Sequence, residues 1–442
     1  MEQTRIIPPG EGDSDNRTQG MTDAGKTAMV GAYRALEMEC TAGNRYALSD
    51  ESSRDHVLIQ LRSAPNVMGR RLPINLALVV DRSGSMEGEP LDYVKRACGH
   101  VVDLLDQNDV LSIVTFEEQV DVLMPARRVV NKTLVKEHIN RIEAGNTTNL
   151  YDGIVVGCNQ VASVTSAGYV NRVLLLTDGE PTAGIKDFSS IVGQVAEQKS
   201  RGITVTALGF GPEYNEELMA GIARQSGGNY YYISRPDLIP EVFRRELESL
   251  MTITARNMRL RLNLSRWVQL RQIYGRQPSF AERHAEVGLV DMERGSAMSA
   301  LCELEFAPRP AGVYRVLKAE LFYDDAVSGR NEALAEDVEF EFTPEGELVT
   351  SGENPVVKQE LEIAEASRNL EKTVMGMKTQ QISAMAATSE LEKTLSILLD
   401  QGRTAEAEEV RQAIDSIKQG SGEAEKTLIG TIYTLDQGKR KD

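Results

Sequence analysis

The chain has 442 residues, of which 41% are hydrophobic and 26% charged, so it has room for two or three globular domains of roughly 100–200 residues each. Its formal net charge is −17, from 66 acidic and 49 basic residues, which disfavours general binding to nucleic acid or to an anionic membrane surface. No apolar run approaches the roughly 18 residues that would span a bilayer.

Residues 1–28 are rich in Gly, Asp, Thr and Pro, and they predict a disordered tail without the apolar core of a signal peptide. Within them, Gly20–Thr27 match the G-x-x-x-x-G-K-T pattern of a phosphate-binding loop. That loop needs an apolar strand before it, and the preceding residues are polar, so we do not predict nucleotide binding. The four cysteines form no C-x-x-C pair, which indicates reduced thiols and a cytoplasmic location.

The next segment, residues 29–70, predicts the first part of a β-sandwich. Residues 33–40 and 56–61 have the composition of strands, and the polar residues between them are typical of turns.

Residues 71–250 predict an α/β domain, because apolar strands alternate with amphipathic helices. Near-continuous apolar runs are typical of buried parallel strands, and a doubly wound, mostly parallel sheet with helices on both faces follows. The segment 109–124 resembles a hairpin, so one antiparallel edge strand is expected. The predicted strands are residues 74–80, 109–115, 119–124, 170–177 and 203–209.

Residues 251–345 predict the second part of the β-sandwich, since residues 258–264 and 300–306 alternate apolar and polar side chains. The simplest packing joins both β-segments into one antiparallel sandwich into which the α/β domain is inserted. Residues 355–442 predict a helical region of two or three helices. The basic residues of the terminal segment 438–442 are expected to be a solvated end.

Polar side chains follow two of the predicted parallel strands. Asp81-Arg82-Ser83-Gly84-Ser85 come directly after strand 74–80, and Asp178 follows strand 170–177. Thr148 precedes a predicted helix of the same domain. Because ligands of open α/β sheets bind at the carboxyl ends of the strands, these oxygen groups are expected to converge there. Hard oxygen donors suit Mg²⁺, Mn²⁺ or Ca²⁺.

Three motifs together resemble the metal-ion-dependent adhesion site of von Willebrand factor A domains. They are Asp81–Ser85, Thr148–Gly153 and Thr177–Gly179. Residues 207–228 are also similar to a later strand and helix of that family, and the resemblance covers residues 72 to 245. The flanking β-segments and the helical region are similar to bacterial multi-domain members.

The resemblance implies a role for each site residue. Ser83 and Ser85 would bind the ion through their hydroxyls, and Thr148 would bind it directly or through water. Asp81 and Asp178 would hold metal-bound waters and orient the serines. Thr147 is a neighbouring alternative to Thr148, although the Thr-x-x-x-x-Gly spacing of the family favours Thr148.

Such a site would keep much of the charge of the ion and leave a position open to an acidic side chain of a partner protein. The resemblance therefore implies a non-enzymatic, metal-dependent adaptor or scaffold with Mg²⁺ as the preferred cofactor. One alternative is a metal-assisted phosphohydrolase with Asp81 as nucleophile, although such sites usually have a second Asp where this chain has Ser83. Another alternative is a partner subunit of a separate ATPase or chelatase. The sequence predicts no oligomeric state.

Overall fold

A computed structural model describes residues 34–65, 71–164, 168–420 and 422–441. The predicted disordered tail over residues 1–28 lies outside the described residues, as do residues 29–33 and 66–70 of the first predicted sandwich segment. Within the described residues, no helix combines the length and the apolar character needed to cross a membrane.

The first β-segment contains three strands. They are β1 (Leu36–Ala42), β2 (Tyr46–Leu48) and β3 (Ser53–Ser63). The α/β region then alternates strands with helices, and two short 3₁₀ turns lie at Gly84–Met86 and Pro236–Leu238. Its elements are β4 (Ile74–Asp81), α1 (Glu89–Leu104), β5 (Val110–Phe116), β6 (Val120–Arg128), α2 (Lys132–Asn140), α3 (Leu150–Ala162), β7 (Val170–Thr177), α4 (Phe188–Ser200), β8 (Thr204–Phe210), α5 (Glu216–Ser226), β9 (Tyr230–Ile233) and α6 (Ile239–Met251).

The second β-segment and the helical region complete the described chain. The β-segment consists of β10 (Ile253–Leu264), β11 (Val268–Ile273), β12 (Ser279–Phe280), β13 (His284–Gly288), β14 (Met292–Glu293), β15 (Ser296–Phe306), β16 (Gly312–Asp325) and β17 (Asn331–Thr343). After it come α7 (Gly346–Ser351), α8 (Pro355–Lys378), α9 (Ala384–Asp400), α10 (Thr404–Gln419), α11 (Ala424–Asp436) and β18 (Lys439–Lys441).

The central sheet has the order β6-β5-β4-β7-β8-β9, and its pairs are parallel except for β5 with β6. The predicted doubly wound sheet with an antiparallel edge strand is therefore confirmed. All eight residues of β4 are buried, because helices cover both faces. Leu76 and Leu78 pack in the core that includes α1 and α6, whereas Ala77 and Val79 pack in the core that includes α3 and α5.

The position of β4 creates a switch point in the sheet. The chain leaves β4 towards β5 on one side and later returns to β7 on the other side. Connections therefore diverge at the carboxyl ends of β4 and β7 and leave a crevice there, as is general for open α/β sheets. The loop after β4 begins at this crevice.

The two β-segments form one sandwich, as predicted. One sheet has the order β1-β3-β15-β11, the other has the order β12-β13-β10-β16-β17-β2, and both contribute to a single apolar core. The α/β region enters after β3 and exits into β10, where the hydroxyls of Ser63 and Thr254 lie 2.9 Å apart. The sandwich is not wholly antiparallel, because β2 pairs with β17 in parallel.

Two details of the helical region were predicted wrongly. Four helices, α8 to α11, share its apolar core, not two or three. The terminal segment is not a solvated end either, because β18 pairs with β15. Lys439 lies 3.2 Å from Glu293, and Arg440 forms an ion pair with Glu360. Both carboxyl groups are buried. Their ion pairs with Lys439 and Arg440 keep this basic terminal segment against the sandwich.

A glycine at the interface of α3 with the central sheet offers a test of this packing. A Cβ on Gly157 would lie 2.3 Å from Cγ2 of Val79 on β4, and a β-branched side chain in a buried strand cannot swing away. We expect Gly157→Ala to lower the free energy of unfolding by about 1–3 kcal/mol. Urea denaturation followed by circular dichroism measures this. Gly193→Ala on α4 is the control, since a Cβ there meets nothing within 4 Å. Equal stability of both variants would contradict the prediction.

Candidate metal centre

Asp81 is the last residue of β4, and its carboxyl group joins the ends of two neighbouring strands. Its Oδ1 accepts a hydrogen bond of 2.8 Å from the backbone N–H of Ser83, and its Oδ2 accepts one of 2.5 Å from the hydroxyl of Thr177. Thr177 is the last residue of β7. The side chain of Asp81 is fully buried, so these two hydrogen bonds fix where its oxygens point.

The loop after Asp81 carries the two serines to the same place. The hydroxyls of Ser83 and Ser85 are 3.2 Å apart, and the hydroxyl of Ser85 donates a 2.7 Å hydrogen bond to Oδ1 of Asp178. Met86 is fully buried and anchors the 3₁₀ turn. Ser83 is buried but Ser85 is exposed, so the group of oxygens opens to the outside at Ser85.

Thr148 reaches this group from the start of α3. Asn149 caps that helix by accepting a hydrogen bond from the N–H of Asp152, which sets where the preceding residue lies. A Cβ on Gly179 would lie 3.6 Å from Oγ1 of Thr148 and 4.0 Å from Oγ of Ser85. The hydroxyls of Thr148 and Ser85 therefore both lie next to Gly179, and Thr148 is the threonine that shares this space with Ser85.

Two further threonines, Thr147 and Thr182, lie next to Thr148 in the sequence or in the structure. The hydroxyl of Thr147 is buried without a hydrogen-bond partner in the described part of the chain. The backbone N–H of Thr148 donates a 2.8 Å hydrogen bond to the hydroxyl of Thr182. Our sequence predictions included neither Thr182 nor the support that Thr177 gives to Asp81. Thr177 could have been found, because it directly precedes Asp178 at the end of a strand.

Burial controls the ionisation of both carboxyl groups. It raises the pKa of Asp81 to about 6, although the hydrogen bonds from Thr177 and Ser83 act in the opposite direction and the charge of Asp178 adds to the increase. Burial also raises the pKa of Asp178, against the hydrogen bond from Ser85. Two carboxylates held close together without a cation are electrostatically unfavourable, so this arrangement favours binding of positive charge.

This electrostatic arrangement predicts that Mg²⁺ affinity depends on pH. The raised pKa of Asp81 in the metal-free protein means that a proton has to leave before the carboxylate can assist a cation. We expect the apparent dissociation constant to rise as the pH falls through about 6, by about tenfold for each further unit. Calorimetric titrations in buffers of different ionisation enthalpy measure both the affinity and the protons released. Constant affinity between about pH 5 and pH 8 would contradict this link.

The five oxygen groups fit a hard divalent cation. They comprise the hydroxyls of Ser83, Ser85 and Thr148 and the carboxyl groups of Asp81 and Asp178. Throughout the described ranges, no group of three or more His, Cys, Asp or Glu side chains could hold a metal ion, so the donors here are mainly neutral hydroxyls. Oxygen donors of this kind are chemically suited to Mg²⁺, and the exposed Ser85 leaves one side of the group accessible.

The sheet and the hydroxyl-rich group at its switch point define a doubly wound α/β domain with oxygen donors at the carboxyl ends of its central strands. Residues 75–245 match the family described as "von Willebrand factor type A domain". These residues are therefore a von Willebrand factor type A domain, and the recognition made from the three motifs is confirmed.

Two relatives match a longer part of the chain than residues 75–245. "Uncharacterized protein sll0103" of Synechocystis sp. is 29% identical over 277 residues, which are 60% of this chain and 65% of that protein. "Uncharacterized protein YfbK" of Escherichia coli is 28% identical over 246 residues, which are 54% of this chain and 43% of that protein. The matches thus span less than two thirds of both curated relatives.

A solved structure shares the arrangement of all three parts. "von Willebrand factor type A from Catenulispora acidiphila" superposes with a TM-score of 0.72 at 16% sequence identity, covering 87% of this chain and 91% of that one. At this identity the likeness concerns the fold. It confirms the predicted combination of a doubly wound sheet, a β-sandwich and carboxyl-terminal helices.

Proposed function

We propose that this protein is a metal-dependent protein-binding adaptor. A divalent cation, with Mg²⁺ preferred and Mn²⁺ or Ca²⁺ as alternatives, would be held by Ser83, Ser85, Thr148, Asp81 and Asp178. The observation that carries the proposal is the meeting of these oxygens, from three separate segments, at an edge of the sheet where Ser85 is exposed.

The partner in this proposal is a protein that presents an Asp or Glu side chain. A cation bound among mostly neutral hydroxyls would supply a positive centre for an external carboxylate. The net charge of −17 opposes the approach of an acidic partner, but screening over about 8 Å at physiological salt limits that repulsion to short range. At contact, the local charge of the cation therefore decides the interaction.

The proposal includes a non-enzymatic role and a cytoplasmic location. The hydroxyls of Ser83 and Ser85 bond to each other, and that of Ser85 also donates to Asp178. Among the described residues, no histidine bonds to either serine. This differs from a nucleophile activated by a base. All four cysteines are free, and three of them are buried, which supports a reducing compartment.

Affinity capture from the native cell tests the proposal. The protein would be used as bait with Mg²⁺ or with EDTA, as wild type and as Asp81→Asn. We expect at least one partner to be retained only by the wild type with Mg²⁺, and an Asp or Glu substitution in that partner to abolish retention. Asp92→Asn is the control variant, because Asp92 is an exposed carboxylate on α1 of the same domain.

Two outcomes would count against the proposal. Equal capture in all four samples would move protein binding to the sandwich or the helices. Hydrolysis of a generic phosphate ester that is lost in Asp81→Asn would support the metal-assisted phosphohydrolase instead. If the retained partner is an ATPase or a chelatase, the adaptor would be the partner subunit of that enzyme.

A further inference from the structure

A cavity of about 410 Å³ lies where the α/β domain, the sandwich and the helices meet. We call it the junction cavity. Its lining includes Arg245 of α6, Glu293 of β14, Arg403 at the start of α10, and Lys439 and Arg440 of β18. The volume falls within the range of small-molecule sites, and every part of the described fold contributes to the walls.

Arg403 presents an unused hydrogen-bonding edge in this cavity. Only 7% of the residue is exposed. Its Nη1 donates hydrogen bonds to Oε1 of Glu406 at 3.2 Å and to the carbonyl oxygen of Lys439 at 2.8 Å. Its Nε and Nη2 are buried and have no partner within the described ranges. Because the guanidinium is planar, the N–H groups of Nε and Nη2 point in parallel from one edge, which matches two oxygens of a single anion.

The amino terminus of α10 opens into the same cavity. This 16-residue helix begins at Thr404, and no side chain caps its first turn. Gly402, Thr404 and Ala405 line the cavity beside Arg403. The first N–H groups of a helix have no partner within the helix, and the helix dipole places partial positive charge there. Arg403, whose guanidinium edge has no partner in the described part of the chain, and an uncapped helix terminus therefore line one space.

The charges around the cavity favour an anion despite the acidic chain. Four basic side chains line it, namely those of Arg245, Arg403, Lys439 and Arg440, against the three acidic ones of Glu293, Glu406 and Glu409. Burial raises the pKa of Glu409, against the hydrogen bond that its carboxyl group accepts from Thr431. The lining thus has one more basic than acidic side chain in a protein whose net charge is −17, although Arg403, Lys439 and Arg440 already pair with Glu406, Glu293 and Glu360.

We propose that the junction cavity binds the phosphoryl group of a small molecule. The edge of Arg403 takes two oxygens, and the N–H groups at the start of α10 face the remaining charge. This binding is independent of the metal centre and of the proposed adaptor function. A bound ligand contacts α6, β14, α10 and β18 together, so it joins the three parts of the fold.

Calorimetric titration of the full chain with inorganic phosphate, at constant ionic strength set with sodium chloride, tests the proposal. We expect saturable binding by the wild type that Arg403→Lys weakens about tenfold or more, because lysine keeps the charge but lacks the two-donor edge. Arg411→Gln on the same helix is the control, since the Arg411 side chain is 50% exposed and pairs with Glu408. Its affinity should equal that of the wild type.

A second variant separates loss of binding from loss of folding. Ala405 is exposed in the first turn of α10, where an acidic side chain favours the helix. Ala405→Glu should therefore fold normally, yet place a carboxylate at the anion position and abolish phosphate binding. Absence of saturable phosphate binding by the wild type, unchanged affinity in Ala405→Glu, or tighter binding of acetate than of phosphate would each overturn the proposal.

Discussion

Asp81→Asn is expected to weaken Mg²⁺ binding by about 10–100-fold and, at the same time, to stabilise the metal-free fold. Burial raises the pKa of Asp81 from 3.8 to about 6, so the folded protein favours the neutral carboxyl group. The stability that this neutral form contributes is present at low pH and is lost as the pH rises through 6. At pH 8 the ionised group costs about 3 kcal/mol, and asparagine removes that cost.

The surrounding hydrogen bonds can accommodate the amide. Its Oδ1 can accept from the N–H of Ser83, as the carboxyl group does. Its Nδ2 can donate to the hydroxyl oxygen of Thr177, which now donates to Asp81. That hydroxyl can then donate to the carbonyl oxygen of Gly179, 3.3 Å away. Both polar atoms of the amide thus keep a hydrogen-bond partner, so we expect most of the gain from removing the charge to be retained.

Two measurements at pH 8 test whether Asp81→Asn raises the stability of the metal-free protein and lowers its affinity for Mg²⁺. Urea denaturation in EDTA should show Asp81→Asn to be more stable than the wild type, and calorimetry should show the loss of Mg²⁺ affinity. The exposed control Asp92→Asn should leave Mg²⁺ affinity unchanged and lower stability by no more than about 0.3–1 kcal/mol, because Asp92 lies in the first turn of α1. A variant that is less stable in EDTA would mean that the Asp81 carboxylate stabilises the fold without metal, and unchanged Mg²⁺ affinity would remove Asp81 from the site.

The sequence was sufficient to predict the centre of the fold and the convergence at its edge. The continuous apolar run that ends at Asp81 requires cover on both faces, and parallel strands bring their carboxyl ends to one edge. The meeting of Ser85 with Asp178 follows from that geometry. The choice of Thr148 over Thr147 depended on the spacing of the family motif, because both residues lie in the loop before α3 and strand geometry does not fix their positions. The role of these residues as metal ligands stays a prediction.

Short elements and features that depend on residues distant in the sequence were not predicted. The strand β9 has only four residues, too few for alternation to be apparent. The basic residues of β18 were predicted to be solvated because Glu293 and Glu360, which hold them, lie far away in the sequence. The unused edge of Arg403 is similarly invisible in the sequence, since it depends on how the start of α10 lies against β18.

Glu246→Ala is expected to lower the free energy of unfolding by about 3–5 kcal/mol. Glu246 lies on α6 and is fully buried. Its Oε1 accepts a 2.6 Å hydrogen bond from the hydroxyl of Thr206 on β8. Its Oε2 accepts hydrogen bonds from Nδ2 of Asn229 at 2.8 Å and from the hydroxyl of Tyr231 at 2.9 Å. One carboxyl group thus connects α6, the last helix of the α/β domain, to β8 and β9 at one edge of the central sheet.

Alanine removes the acceptor of the buried Thr206 hydroxyl and of the half-buried Asn229 and Tyr231 side chains, and this loss is what makes the effect large. Glu246→Gln can keep the oxygen that accepts from Asn229 and Tyr231 and should lose less stability, since the hydroxyl of Thr206 can turn to accept from the new amide nitrogen. Glu248→Ala, two residues further on the same helix, removes only an exposed pair with Arg244 and should leave the urea midpoint nearly unchanged. If Glu246→Ala matched Glu248→Ala in denaturation, the attachment of α6 would rest on apolar packing by Phe243 and Leu247 alone.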